Sequence, residues 1–245
     1  MPLKIALNYS PNFYPKKRLK KEIRFIIFHY TGMKSDKAAI RKLTDIQSQV
    51  ASHYFITHTG KIITLVPDLY TAWHAGISSW KNFKSLNKNS IGIEITNPGH
   101  QFGYRKFSKK QINSIINLSK LLIKKYKIDK KNFLGHSDIA PDRKKDPGEK
   151  FPWEYLAKKN IGIWHNLEKQ KLKKLRKTKC NEIIKKNFLN NLLKIGYSKK
   201  MRNNTKKREY SSFVVKAFQR RFRPELVNGK IDQECLLISE NLIKI

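Results

Sequence analysis

The strongest constraint on the fold is the run Phe25-Ile26-Ile27-Phe28. Four consecutive apolar residues, ended by His29 and then by Thr31-Gly32, read as a short strand buried inside a domain. Ile91-Gly92-Ile93-Glu94-Ile95 is a second strand, and its alternation sends three isoleucines to one face and Glu94 to the other. Phe133-Leu134-Gly135-His136 reads as a third strand, again ending in histidine. His53 to Val66 has the form of a hairpin, with Tyr54-Phe55-Ile56 and Ile62-Ile63-Thr64-Leu65 on either side of His58-Thr59-Gly60. Helical periodicity falls between these strands. It runs over 36–50 and again from Ser108, whose hydroxyl and Gln111 stand at capping-box spacing ahead of Ile112, Ile115, Ile116 and Leu122. Strands alternating with helices predict an α/β fold, a mixed central sheet flanked by helices.

The texture changes after Phe151-Pro152-Trp153. Residues 166–179 are dense in lysine and suit an inter-domain linker. Beyond 180, Ile183, Ile184, Phe188, Leu192 and Leu193 recur at helical spacing, and a second amphipathic stretch over 214–222 stops at Pro224. This predicts a small C-terminal all-α domain. The expected plan is a polar lead-in over 1–22, a catalytic domain over 23–165, a basic linker over 166–179 and a helical domain over 180–245. A length of 245 residues suits one enzyme domain and a smaller partner.

Fifty-three basic and 18 acidic residues give a net charge of +35. One reading is a polyanionic partner, either nucleic acid or an anionic cell wall. The other is compositional drift, since lysine is scattered throughout and travels with asparagine and isoleucine. No clustered basic-aromatic signature of a nucleic-acid module is present, so nucleic acid is not expected as an obligatory partner. Hydrophobic residues at 39% argue against wholesale disorder. No apolar run approaches the ~20 residues of a membrane span. The N-terminus lacks an apolar h-region and a lipid-anchoring cysteine, so the sequence as written reads as unanchored and cytoplasmic, with the cell envelope as the alternative. Cys180 and Cys235 are too few for a disulfide framework. A monomer is expected.

Alone, His29 and His136 would each more often be structural than ligating. The neighbourhood of His136 alters that balance. In His-Ser-Asp-Ile-Ala-Pro-Asp-Arg-Lys-Lys-Asp-Pro-Gly, Asp146 follows ten residues later in a loop containing Pro141 and Pro147. Two imidazoles and a carboxylate leave the fourth tetrahedral position open, as in catalytic rather than structural zinc. The H-E-x-x-H helix of common metalloproteases is absent.

His29-Tyr30-Thr31, Ala72-Trp73-His74-Ala75-Gly76, Ser90-Ile91-Gly92-Ile93-Glu94 and the loop from His136 to Gly148 together resemble the N-acetylmuramoyl-L-alanine amidases of the AmpD/AmiD type. Phage amidases and peptidoglycan-recognition proteins are related to these. The resemblance covers roughly residues 20–165. It continues at Ala217-Phe218-Gln219-Arg220-Arg221-Phe222-Arg223-Pro224, which is similar to the peptidoglycan-binding-like C-terminal domain of AmiD-type enzymes. It implies one Zn2+ on His29, His136 and Asp146, catalysis by Glu94 and Lys144, and peptidoglycan or a muropeptide as substrate. The bond cleaved would join the muramoyl lactyl group to L-alanine.

Elementary chemistry agrees with those roles. Water attacking an amide must lose a proton, which a carboxylate beside the metal can take, and an ammonium at Lys144 would stabilise the oxyanion formed. Trp73 and His74 could wall the cleft, with Trp73 offering a stacking face. His53 follows Ser52, where some family members place a catalytic tyrosine, so proton transfer falls on Glu94. Arg143 could bind a stem-peptide carboxylate in bidentate fashion. A rival within the family is a protein that binds peptidoglycan without cleaving it.

Overall fold

The computed structural model describes residues 3–198 and 207–245. Its strands are β1 (Ile5–Leu7), β2 (Phe13–Tyr14), β3 (Phe25–Tyr30), β4 (Tyr54–Ile56), β5 (Ile62–Thr64), β6 (Thr71–Ala72), β7 (Ser79–Trp80), β8 (Phe83–Lys84), β9 (Ser90–Ile95) and β10 (Phe133–Gly135). The helices are α1 (Asp36–Thr44), α2 (Lys109–Tyr126), α3 (His136–Ile139), α4 (Trp153–Ala157), α5 (Lys169–Leu175), α6 (Glu182–Ile195), α7 (Lys207–Phe222) and α8 (Gln233–Leu242). Six strands form the main sheet in the order β1-β5-β4-β9-β3-β10. From β4 to β10 neighbouring strands run parallel, while β5 is antiparallel to β4. The mixed α/β architecture is as the patterning predicts.

Alternation along each strand decides what covers each face. Ile26 and Phe28 of β3, with Ile91, Ile93 and Ile95 of β9, pack beneath Ile115, Leu118 and Leu122 of α2. Ser108 caps α2 with its hydroxyl and Gln111 completes the capping box, as expected. The opposite face carries Phe25 and Ile27 of β3 and Leu134 of β10. These share one continuous core with Phe188 and Leu192 of α6 and with Phe218 and Phe222 of α7. The C-terminal helices therefore form a layer of the same body. At the upper end of that face α1 lies over β4 and β5, with Leu43 against Phe55 and Ile63. Beside Ala39 and Leu43 of α1 the face stays open, at the carboxyl ends of β3 and β9. Open α/β sheets place their ligands there.

Three segments depart from the expected plan. Residues 3–22 are part of the fold. β1 pairs with β5 and β2 with β6, and the buried Asn12 amide donates to the carbonyls of Asp45 (2.8 Å) and Val50 (2.9 Å). Strands of two or three residues are too short to show a periodicity, which is why composition alone suggested a lead-in. The stretch 166–179 contains α5, whose Leu172 is buried, and Arg176 pairs with Glu234 of α8 at 2.7 Å. His136 opens α3 rather than ending β10.

Candidate active site

β3 delivers His29, the first turn of α3 delivers His136, and the loop that follows delivers Asp146. All three are buried and their ligand atoms converge. His29 Nδ1 lies 2.9 Å from His136 Nδ1 and 3.1 Å from Asp146 Oδ2, and His136 Nδ1 lies 3.0 Å from Asp146 Oδ2. Tetrahedral zinc with bonds of ~2.0–2.1 Å separates its ligand atoms by about 3.3 Å, close to this triangle. A backbone bond from Ser137 N–H to the Asp146 carbonyl, 2.8 Å, closes the loop that links the two ligands. Gly135 is required here, because a Cβ would stand 2.7 Å from Pro147 Cδ.

The chemistry of the donors fits a cation. Two imidazole Nδ1 atoms facing each other at 2.9 Å can both be acceptors only with a positive charge between them. Both rings then carry their proton on Nε2, and the surroundings accept it there. His136 Nε2 faces the Ala75 carbonyl at 3.2 Å, and His29 Nε2 faces His74 Nδ1 at 3.0 Å. His74 Nε2 in turn lies 3.2 Å from Ser90 Oγ, which donates to the Leu86 carbonyl. Outer contacts of this kind fix the tautomer and orientation of ligating histidines. Gly92 makes room for the arrangement, since a Cβ there would meet the His74 ring at 2.5 Å. Burial is the main cause that lowers the basicity of His29, His74 and His136. Burial also acts to raise the Asp146 carboxyl, but His136 and His29 outweigh it and hold the group ionised well below the ordinary carboxylate range.

Glu94 is the cross-strand partner of His29 in the β3–β9 register, so both side chains leave the same face. It lines a cleft of about 420 Å³ together with His136, Asp146, Lys144, Trp73 and Tyr30. Its Oε2 is buried and has no hydrogen-bond partner among the described residues. Burial pushes its carboxyl up to about 7, Asp146 adds to that rise, and His29 and Lys144 oppose it. The Lys144 charge also acts on His136. Its neighbour Lys145 lines the same cleft but is more exposed.

Of the expected substrate contacts, Trp73 lines the cleft, and its Nε1 is buried without a partner among the described residues. Arg143 also lines it, but its guanidinium donates to the carbonyls of Ala75 and Ile77 and so holds the loop whose carbonyl receives His136. His74 borders the cleft while both ring nitrogens are engaged behind His29, so its place is outer support for that ring. The expectation for His53 is corrected. It is fully buried away from the cleft, accepting from Gly92 N–H at 3.0 Å and lying against the Tyr70 carbonyl and the Arg18 guanidinium. The outer support from Ser90 and Ala75 was not foreseen, and only the compact Trp73-His74-Ala75-Gly76 motif hinted at it.

Comparisons with known proteins follow the same outline. Residues 19–149 match the family model described as N-acetylmuramoyl-L-alanine amidase. The chain is 36% identical over 234 residues to N-acetylmuramoyl-L-alanine amidase AmiD of Escherichia coli K12, covering 91% of this chain and 83% of that protein. A structure of E. coli AmiD, in complex with the substrate anhydro-N-acetylmuramic acid-L-Ala-D-γ-Glu-L-Lys, superposes with a TM-score of 0.78 at 35% identity. It covers 91% of this chain and 89% of AmiD. The structure of AmpDh3 from Pseudomonas aeruginosa with an anhydromuramic pentapeptide gives a TM-score of 0.77 at 30% identity, over 94% of this chain and 93% of that one.

Proposed function

The chain belongs to the N-acetylmuramoyl-L-alanine amidase family, and from that premise we propose that it hydrolyses the amide between the muramoyl lactyl group and L-alanine with one bound zinc ion. The observation that carries this reading is the triangle of His29, His136 and Asp146 in one cleft with Glu94, whose Oε2 has no hydrogen-bond partner among the described residues. A binder without activity would not need an ionisable carboxylate held next to three converging ligand atoms.

His29 and His136 through Nδ1 and Asp146 through Oδ2 would hold the ion. Zinc in that position supplies a Lewis acid that polarises the amide carbonyl and acidifies the attacking water. Glu94 takes the proton from that water as its oxygen bonds to the carbonyl carbon. It then returns a proton to the L-alanine nitrogen as the C–N bond breaks. The Lys144 ammonium faces the charge that develops on the carbonyl oxygen. His74 and the Ala75 carbonyl keep the two imidazoles oriented throughout. Anhydromuropeptides like those bound by the relatives are the proposed substrate class, and polymeric wall of the same chemistry is the second.

Incubating zinc-loaded protein separately with a purified anhydromuropeptide and with sacculi tests the reading. Mass spectrometry should find peptides with a free L-alanine amino terminus, and a chelator should abolish their release. Zinc-loaded protein that cleaves neither material would overturn it.

A further inference from the structure

Asp138 lies two residues after His136 on α3, and it is buried with no access to the cleft. Its Oδ2 accepts from Gly135 N–H at 2.8 Å and from Arg221 Nη1 at 2.7 Å, while Oδ1 accepts from the Tyr197 hydroxyl at 2.7 Å. Arg221 comes from α7 and also donates through Nη2 to the Phe133 carbonyl at 2.9 Å. One guanidinium thus spans the junction where β10 turns into α3, gripping the strand on one side and the helix on the other. Its plane rests on Trp153, with ring centroids 4.4 Å away, and on Phe222 at 4.8 Å. All of these partners from the C-terminal layer converge on one carboxylate, beside the turn that sets the position of His136.

We propose that Arg221 and Tyr197 are positioning residues: the C-terminal helical layer clamps Asp138 and thereby holds His136 in its zinc-binding geometry. The inference rests on the metal-site reading above. Two features make the clamp stiff. A charge-assisted hydrogen bond in a dry environment is stronger and more directional than a neutral one at the surface. Gly135 also leaves Pro147 no slack, so a shift of the turn would carry through to Asp146. Outer contacts to metal ligands typically alter metal affinity by about 10–100-fold. The clamp acts one step further out.

The test uses the full-length protein. Zinc affinity is measured by competition with a chromophoric chelator, and the absorption spectrum is recorded after cobalt replaces zinc. Tyr197→Phe removes one hydroxyl, and Arg221→Met removes the whole bridge. Phe188→Leu thins the same helical layer without touching Asp138 and serves as the stability control. The expectation is that Arg221→Met weakens zinc binding by about tenfold and alters the cobalt spectrum. Tyr197→Phe should do so less, and Phe188→Leu should change melting temperature alone. Zinc affinity and spectrum unchanged in Tyr197→Phe and Arg221→Met, or changed equally by Phe188→Leu, would overturn the clamp. If Arg221→Met fails to fold, Tyr197→Phe decides. Wild-type protein that takes up no zinc would overturn the metal-site reading itself, a failure visible before any variant is compared.

Discussion

His29 and Glu94 stand opposite each other on adjacent parallel strands, β3 and β9, and project from the same face of the sheet. The ladder thereby fixes a metal-ligating imidazole and an ionisable carboxylate side by side on rigid backbone. A site built on strands holds its geometry better than one built on loops.

Replacing Glu94 by Gln should leave zinc content near one per chain and lower kcat by ~10²–10⁴-fold, the usual contribution of a general base. Metal analysis and muropeptide turnover on the same preparation check both halves. Lost zinc would make Glu94 a ligand, and an unchanged rate would remove it from the mechanism.

His136→Ala should lose nearly all zinc, because two protein ligands fall short of the three that hold catalytic zinc. His74→Phe should weaken zinc by about 10–100-fold, since it removes the acceptor behind His29 and leaves all three ligands in place. Equal zinc in His136→Ala and wild type would refute the ligand set.

The pH profile follows from Glu94. Its carboxyl is pushed up to about 7, chiefly by burial, and a bound cation pulls it back toward the ordinary range. A base works only when ionised, so kcat/KM should rise with pH through a limb between the ordinary glutamate pKa and about 7. The Lys144 ammonium favours the carboxylate, so Lys144→Met should shift this limb to higher pH. A limb that stays put, or moves down, would separate Lys144 from Glu94.

His53 provides a stability prediction. Burial and the Arg18 charge lower its pKa to about 3 in the folded chain, against ~6.5 when unfolded. Between those values the unfolded state binds more protons, so this residue makes the fold lose stability as pH falls, by about 1.4 kcal/mol per pH unit. Above the unfolded value it has no such effect. Urea midpoints of wild type and His53→Gln at neutral and acidic pH should converge with that slope. Parallel curves would show that His53 charges in place.

A chain ending at residue 165 should be insoluble or strongly destabilised. Its Phe25, Ile27, Leu134 and Ile139 share their core with Phe188, Leu192 and Phe218, and burying each such side chain contributes about 1.5–3 kcal/mol. That sum rivals the ~5–15 kcal/mol of a whole domain. A soluble truncated chain that cleaves small muropeptides but no longer sediments with sacculi would instead make the helices a separable wall-binding module.

What the sequence determined by itself was whatever local periodicity encodes. The apolar runs at 25–28 and 91–95 marked their strands, period-two alternation put Glu94 opposite the isoleucines, and Ser108 with Gln111 marked the start of α2. The same runs drew attention to His29 and His136 at their ends, whereas Asp146 was marked by the motif of the loop after His136 and by the family resemblance, not by periodicity. The tertiary structure alone decided the contacts between distant parts of the chain. His29 meets His136 across 107 positions, and Arg221 meets Asp138 across 83. It placed His53 behind His74 and against Gly92 rather than in the cleft, set His74 behind His29, and paired Ile5–Leu7 with β5 of the main sheet. No periodicity records such contacts. They depend on which side chains the packed layers bring within hydrogen-bond reach, and that is settled only when the whole core closes.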